Sequence, residues 1–343
     1  MNKFLYTAYT YDDVQIIPCD EPCEIVSRRG LNLDLTSRLS KNIKIPYPFI
    51  ASPMDTICGP KMAKKMAEFG GVGYLYRFQN LDAQIAECKK NDLWTVHLAI
   101  GKDDFDRIRR FIANGFKIMS VLLDVAHGNH RDIIEMIEEF KKNPEFDHID
   151  IIAGSVAHGE GAKNLVDAGA DGIRVGIGNG SRCTTRLSTG VGIPTITSIR
   201  NVRESIGDDI PIVADGGIRY CGDVAKAIVA GANTVILANV ISGSKETPGR
   251  IISTDHGDFK IYRGSASYES KIERGESDMV EGVSSMVPIK GSVIDILNRF
   301  EDGLRSSMAY VNAKSMEEFY KKGKFCLVTN AGITEAKPHG IRE

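Results

Sequence analysis

No run in this chain approaches the ~18 consecutive apolar residues needed to cross a bilayer, and the amino terminus lacks a basic stretch followed by an apolar core. Neither a membrane span nor a secretory leader is expected. Charge of one sign is missing too: 43 lysines and arginines stand against 45 aspartates and glutamates, and a formal net charge of −2 offers nucleic acid or an anionic membrane no attraction. Cysteine is sparse and scattered. The seven residues, at 19, 23, 58, 88, 183, 221 and 326, are an odd set with neither disulfide-framework nor zinc spacing. Cys19 and Cys23, close together around Glu21-Pro22, read as loop residues. These absences leave a cytoplasmic protein with reduced thiols, whose partner is a small molecule or another copy of itself.

At 343 residues, 42% hydrophobic and 26% charged, the chain is long enough for one large core, and an α/β barrel can use that length in a single domain, 1–343. Short apolar runs at 48–52, 71–76, 95–100, 120–124, 150–154, 172–176, 210–215 and 234–237 read as eight strands. Amphipathic segments such as 105–113, 131–142, 161–168 and 222–230 lie between them, several closed by Asn-Gly or Ala-Gly. Strand and helix repeated in this way imply parallel pairing and most simply an α/β fold of the (β/α)₈, or TIM-barrel, type; a doubly wound open sheet is the alternative. Three segments fall outside the repeat. They are 1–47, a polar excursion at 256–295 with an apparent hairpin at His256-Gly257-Asp258, and a tail at 325–343 without low-complexity character. An excursion of that length after the last strand is expected to be a mobile flap or disorder.

Function in a barrel gathers on the loops after the carboxyl ends of the strands. Ser52, Asp124, the loop from Gly178 to Thr185, and Asp215-Gly216-Gly217 each follow a different predicted strand, so closure brings them to one face. The loop Gly176-Ile177-Gly178-Asn179-Gly180-Ser181-Arg182-Cys183-Thr184-Thr185-Arg186 is the most informative of these. Its glycines let main-chain N–H groups approach an anion, and they leave the Cys183 sulfur accessible as a nucleophile. A structural cysteine beside a turn is the plainer reading of a lone thiol. His127 and His130 lack a third ligand at useful spacing and read as surface or cofactor-rim histidines.

The cysteine loop, continued by Thr189-Gly190-Val191-Gly192-Ile193-Pro194, resembles that of the IMP dehydrogenase and GMP reductase family. The likeness extends through Ala51-Ser52-Pro53-Met54-Asp55-Thr56, Leu123-Asp124-Val125-Ala126-His127-Gly128, Val213-Ala214-Asp215-Gly216-Gly217-Ile218, Tyr262-Arg263-Gly264 and Gly303-Leu304-Arg305-Ser306. Nearly the whole chain is covered, without the CBS module that most of the dehydrogenases insert. The resemblance implies an oxidoreductase in which the Cys183 thiolate adds to C2 of a purine nucleoside monophosphate and NAD or NADP exchanges a hydride there. It implies Thr185 and Glu281 as a proton relay, and Ser52, Ser181, Asp215, Gly217, Asn239, Tyr262 and Gly264 as substrate contacts. Asp124 and Arg174 match positions on the cofactor side. In dehydrogenases the carbonyls of Gly178, Gly180 and Cys183 would hold a monovalent cation such as potassium, and the assembly implied is a homotetramer.

The two branches of the family differ in the fate of the covalent intermediate they share. Dehydrogenases turn IMP, NAD and water into XMP; reductases turn GMP and NADPH into IMP and ammonia. Dehydrogenases carry an Arg-Tyr pair on the flap to activate water, and this chain has none: residues 265–280 contain Arg274 alone. Ala238-Asn239 replaces the usual Gly-Ser phosphate contact, and Ser155 stands where the family usually has Asn. Cys183-Thr184-Thr185-Arg186 with Thr189-Gly190-Val191-Gly192 resembles the reductases. Tyr262-Arg263-Gly264, Glu281-Gly282-Val283 and the tail Val328-Thr329-Asn330-Ala331-Gly332-Ile333-Thr334-Glu335 with Pro338-His339 resemble the dehydrogenases. Overall sequence character leans to the dehydrogenase, with the reductase and a catalytically silent nucleotide-binding homologue as alternatives.

Overall fold

The computed structural model describes residues 6–23, 33–277 and 279–338. His339 and the end of the tail lie outside that range, as do 1–5 and 24–32 of the amino-terminal segment. Eight parallel strands close into a barrel: Phe49–Ala51, Val72–Leu75, Thr95–Ile100, Lys117–Leu123, Asp150–Val156, Gly172–Val175, Ile212–Asp215 and Thr234–Leu237. The last pairs with the first, Leu237 opposite Ala51, which excludes an open sheet. These strands read as apolar runs because both of their faces are covered; every residue of Val72–Leu75 and of Asp150–Val156 is buried. The fourth strand starts earlier than expected, at Lys117, because its first residues alternate between exposed and buried at the barrel rim.

At least one helix follows each of the first seven strands, among them Phe105–Ala113, Arg131–Lys142, Gly159–Asp167 and Cys221–Val229. The eighth, Val293–Tyr310, comes after the excursion and packs against both Cys221–Val229 and Pro60–Phe69, completing the ring. Phe105–Ala113 illustrates the pattern. Ile108 and Phe111 turn to the sheet, and the helix ends at Asn114-Gly115.

One core lies between sheet and helices, the other inside the barrel around Ile50, Tyr74, Leu122, Ile152, Val213 and Ile236. Leu39 and Ile45, from the hairpin of Ser37–Arg38 with Lys44–Ile45, plug that interior from one end. Ser40 Oγ and Asn42 Nδ2 donate to the carboxylate of Asp150, the first residue of the fifth strand, at 2.5 and 2.9 Å. The plug therefore occupies the face where the strands begin and leaves the opposite face for chemistry. Inside, Tyr74 OH and His97 Nδ1 each lie 2.7 Å from Ser120 Oγ, and burial pushes His97 down to about 4.

The polar excursion is a folded unit and not a disordered stretch. Ile252–Thr254, Gly257–Arg263 and Ser284–Pro288 form an antiparallel sheet, and the helix Tyr268–Glu273 lies between its second and third strands. Its composition misleads because only one sheet face is covered: Lys260 and Tyr262 point inward while Ile261 between them is exposed. Lys260 Nζ donates to the carbonyls of Ser244 and Thr247 at 3.1 and 2.7 Å, tying the sheet to the loop that leaves the eighth strand. At the other end of the chain, Val14–Ile16 pairs with Phe325–Leu327. Among the described residues, no helix is long and apolar enough to cross a membrane.

Candidate active site

The cysteine loop begins where the sixth strand ends. Gly176 has φ +143, and a Cβ there would lie 2.1 Å from the Asp215 carbonyl oxygen, so only glycine lets the loop leave the barrel so close to the seventh strand. Beyond it the chain turns into the short helix Thr185–Thr189, which leaves Cys183 exposed at the mouth of a cavity. Cys183 Sγ is 3.0 Å from Thr185 Oγ1, and that hydroxyl donates to Glu281 Oε2 at 2.6 Å.

Glu281 arrives from the far side of the excursion. Its position is set by backbone bonding: Thr184 N–H donates to the Glu281 carbonyl at 2.9 Å, and Val283 N–H to the Arg182 carbonyl at 3.0 Å. Cys183 and Gly282 thereby form an isolated antiparallel bridge. Thiol, hydroxyl and carboxylate lie in one hydrogen-bonded chain, the arrangement needed to pass a proton to or from a group reacting at sulfur.

The cavity, about 790 Å³, is lined by every residue that the resemblance marks for catalysis or binding: Ser52, Asp124, Arg174, Gly178, Gly180, Ser181, Cys183, Thr185, Asp215, Gly217, Asn239, Tyr262, Gly264 and Glu281; His127 and His130 are not among its lining residues. Ser181 Oγ lies 3.1 Å from Tyr262 OH, and the Arg182 guanidinium sits 4.7 Å over the Tyr262 ring. Arg174 bridges two carboxylates, Asp215 at 2.6 Å and Asp124 at 3.1 Å. Burial by itself would lower Arg174, but the paired Asp215 and Asp124 outweigh it and drive its pKa up. An arginine so held stays charged and fixes Asp215, whose Oδ2 it binds, at the edge of the cavity. A pocket of this size, lined by glycine-rich backbone, hydroxyls and the two carboxylates that Arg174 holds, suits a nucleotide and a second planar ligand beside it.

A model of the IMP dehydrogenase / GMP reductase domain matches residues 8–339. The chain belongs to that family. The IMP dehydrogenase of Cryptosporidium parvum is 32% identical, with 97% of this chain and 95% of that protein covered. A GMP reductase of Leishmania major is 29% identical over 97% of this chain and 96% of its own length. Among solved structures, a GMP reductase from Trypanosoma brucei in complex with guanosine 5'-monophosphate superposes with a TM-score of 0.90 at 29% identity, covering 98% and 99% of the two chains. As a member of the IMP dehydrogenase / GMP reductase family, the chain is an NAD(P)-dependent oxidoreductase.

Several residues of this family member's cavity carry no signal in the sequence. Tyr11 is buried against Gly217, where a Cβ would lie 3.2 Å from its ring, and its hydroxyl has no protein partner. The Tyr9-Thr10-Tyr11-Asp12 stretch could have been noticed as an aromatic and acidic cluster outside the repeat. The Phe78 ring is in contact with two guanidinium groups, Arg77 at 3.8 Å and Arg274 at 4.5 Å from its centre. Arg274, the flap's one arginine, is also tied to both Glu276 oxygens at 2.7 Å and to the Ser265 carbonyl at 2.8 Å. Its pKa is raised, first by the Glu276 hydrogen bond. His130 Nδ1 accepts the Asp132 N–H at 3.4 Å at the start of a helix, and no group of three metal-ligating side chains occurs among the described residues. The Gly180 carbonyl accepts the Cys183 N–H at 3.1 Å.

Proposed function

We propose that the protein is a GMP reductase, converting GMP, NADPH and a proton into IMP, NADP and ammonia through a covalent adduct on Cys183. One observation carries the choice of branch. The Cys183–Thr185–Glu281 chain is complete, while Arg274, the flap residue that would have to activate water, has its guanidinium committed to Glu276, Ser265 and Phe78.

In this reading the Cys183 thiolate adds to C2 of the purine, and the 2-amino group leaves from the same carbon. Expelling an amine at neutral pH requires a proton, and the Thr185 hydroxyl, backed by the Glu281 carboxyl, delivers it; such positioned acids contribute roughly 10² to 10⁴ in rate. The nicotinamide, when bound, supplies a hydride to C2. Cys183 is then expelled as thiolate, which regenerates the site without any water attacking the adduct. Asp215, fixed by Arg174, accepts from the ribose hydroxyls. Ser181, Gly217, Asn239, Tyr262, Gly264 and Ser52 hold the rest of the nucleotide, with the Asn239 amide replacing the usual hydroxyl donor to phosphate. Asp124 and Arg174 border the nicotinamide side, where the Arg77–Phe78–Arg274 cluster offers a cationic wall.

IMP dehydrogenase is the second reading, supported by two near-full-length relatives of that name, from Cryptosporidium parvum at 32% identity and from Borreliella burgdorferi at 31% over 99% of this chain, against the near-full-length GMP reductase of Leishmania major at 29%. That chemistry needs a base for water, which the relay would have to provide alone. Purified protein mixed with GMP and NADPH, and separately with IMP and NAD, followed by the absorbance of the reduced cofactor, distinguishes them. Consumption of NADPH with release of ammonia is expected; steady NADH formation from IMP with no GMP turnover would overturn the choice. Absence of both with nucleotide binding retained would indicate the silent homologue.

A further inference from the structure

Away from the active site, two sulfurs meet. Cys19 and Cys23 lie on the segment that leaves Val14–Ile16, and their Sγ atoms are 2.7 Å apart. The surrounding chain holds them in place. Cys19 N–H donates to the Tyr310 carbonyl at 2.9 Å, at the end of Val293–Tyr310, and the Cys19 thiol donates to the Glu21 carbonyl at 3.3 Å. Cys23 directs its own thiol toward the same Tyr310 carbonyl at 4.0 Å. Pro22 between them has a fixed φ, so little chain freedom remains to be lost on closing the loop. Cys23 is exposed and Cys19 half-buried, so a small thiol reagent reaches both.

We propose that Cys19 and Cys23 form a reversible disulfide site whose oxidant is a glutathione-type disulfide. One thiolate attacks the glutathione disulfide, forming a mixed disulfide and releasing one glutathione thiolate. The second protein thiolate then attacks the protein sulfur of that mixed disulfide and releases the other glutathione. The protein loses two electrons and two protons, and the oxidant is reduced to two thiols. The second step is intramolecular between sulfurs already in contact, so it outruns a second encounter with glutathione.

The other five cysteines lack this arrangement. Cys58 and Cys88 are buried, and burial pushes Cys88 up to about 12. Cys183 faces Thr185 at 3.0 Å. Cys221 and Cys326 direct their thiols to the carbonyls of Arg299 and Gln15, at 3.3 and 3.7 Å. Cys326, exposed on the neighbouring strand, is the natural internal reference.

The full chain is equilibrated in glutathione buffers of rising oxidised fraction, quenched by alkylation, digested and mapped by mass spectrometry. The Cys19–Cys23 peptide is expected to lose two hydrogens as an internal disulfide, at a ratio of oxidised to reduced glutathione at least about tenfold below that which half-modifies Cys326. Reduction with dithiothreitol restores both thiols, and in a Cys19→Ser variant Cys23 stops at the glutathione adduct. The inference is overturned if Cys19 and Cys23 titrate as separate glutathione adducts in step with Cys326, or if they become linked only between molecules.

Discussion

Cys183 stands on a loop braced by the sixth and seventh barrel strands, whereas Glu281, two hydrogen bonds away, stands on the return limb of the inserted sheet. The first foundation is a closed ring with buried strands on both sides. The second reaches the site through a few backbone contacts, Thr184 to Glu281 and Val283 to Arg182, plus the Lys260 anchor at its base. In the proposed mechanism the nucleophile is thus the property of the barrel, and what happens after it has reacted is the property of the insertion. One can be altered while the other stays intact.

Removing the barrel's contribution has the largest expected effect. Cys183→Ala should reduce GMP turnover to background while the fold and nucleotide binding persist, as checked by calorimetric titration beside the assay. Glu281→Gln keeps the shape of the relay and removes its proton, so kcat should fall by roughly 10² to 10⁴ with the nucleotide Kd within about threefold. A matching loss of binding would mean that Glu281 holds substrate and not a proton. The barrel interior should reveal itself in stability instead of rate. His97 has a folded pKa lowered from 6.5 to about 4, so the unfolded chain binds more protons between those values. Stability is then fully present above about pH 6.5 and declines by up to about 3 kcal/mol as pH falls toward 4. Urea unfolding across that window should show the decline, and a His97→Gln variant should flatten it. Smallest of all is Arg274→Ala, expected to slow GMP reduction by no more than about fivefold, because its guanidinium is engaged by Glu276, the Ser265 carbonyl and Phe78 and not by a reacting group. A drop of roughly 10² or more would restore Arg274 as a base.

The barrel was legible because parallel strands covered on both faces produce unbroken apolar runs such as Val72–Leu75, with punctuation at Asn114-Gly115 and Ala230-Gly231. The candidate site came with it, since strand ends at Ser52, Asp124 and Asp215 must converge once the ring closes, and all line one cavity. Of the insertion, only the hairpin expected at His256-Gly257-Asp258 was legible, and it is there, with Ile252–Thr254 paired to Gly257–Arg263. The inserted sheet buries one face only, so alternation between Lys260, Ile261 and Tyr262 looks like polar loop, and a buried lysine contradicts the usual pattern. Nor does spacing disclose that Arg274 is captured by Glu276, because a pair two residues apart meets only when the local turn brings it round. Cys19 and Cys23 look like separate loop residues in the sequence; their contact depends on the anchorage to Tyr310, almost three hundred positions away.

Rapid mixing of the enzyme with IMP and NAD, with NADH and XMP quantified separately, examines the division of labour most directly. If, as proposed, the barrel can take the hydride from IMP while the insertion cannot activate water, the enzyme should release a burst of NADH no larger than the number of Cys183 sites, with XMP appearing far more slowly. Stoichiometric XMP at the rate of NADH formation, sustained over many turnovers and faster than GMP reduction, would contradict it.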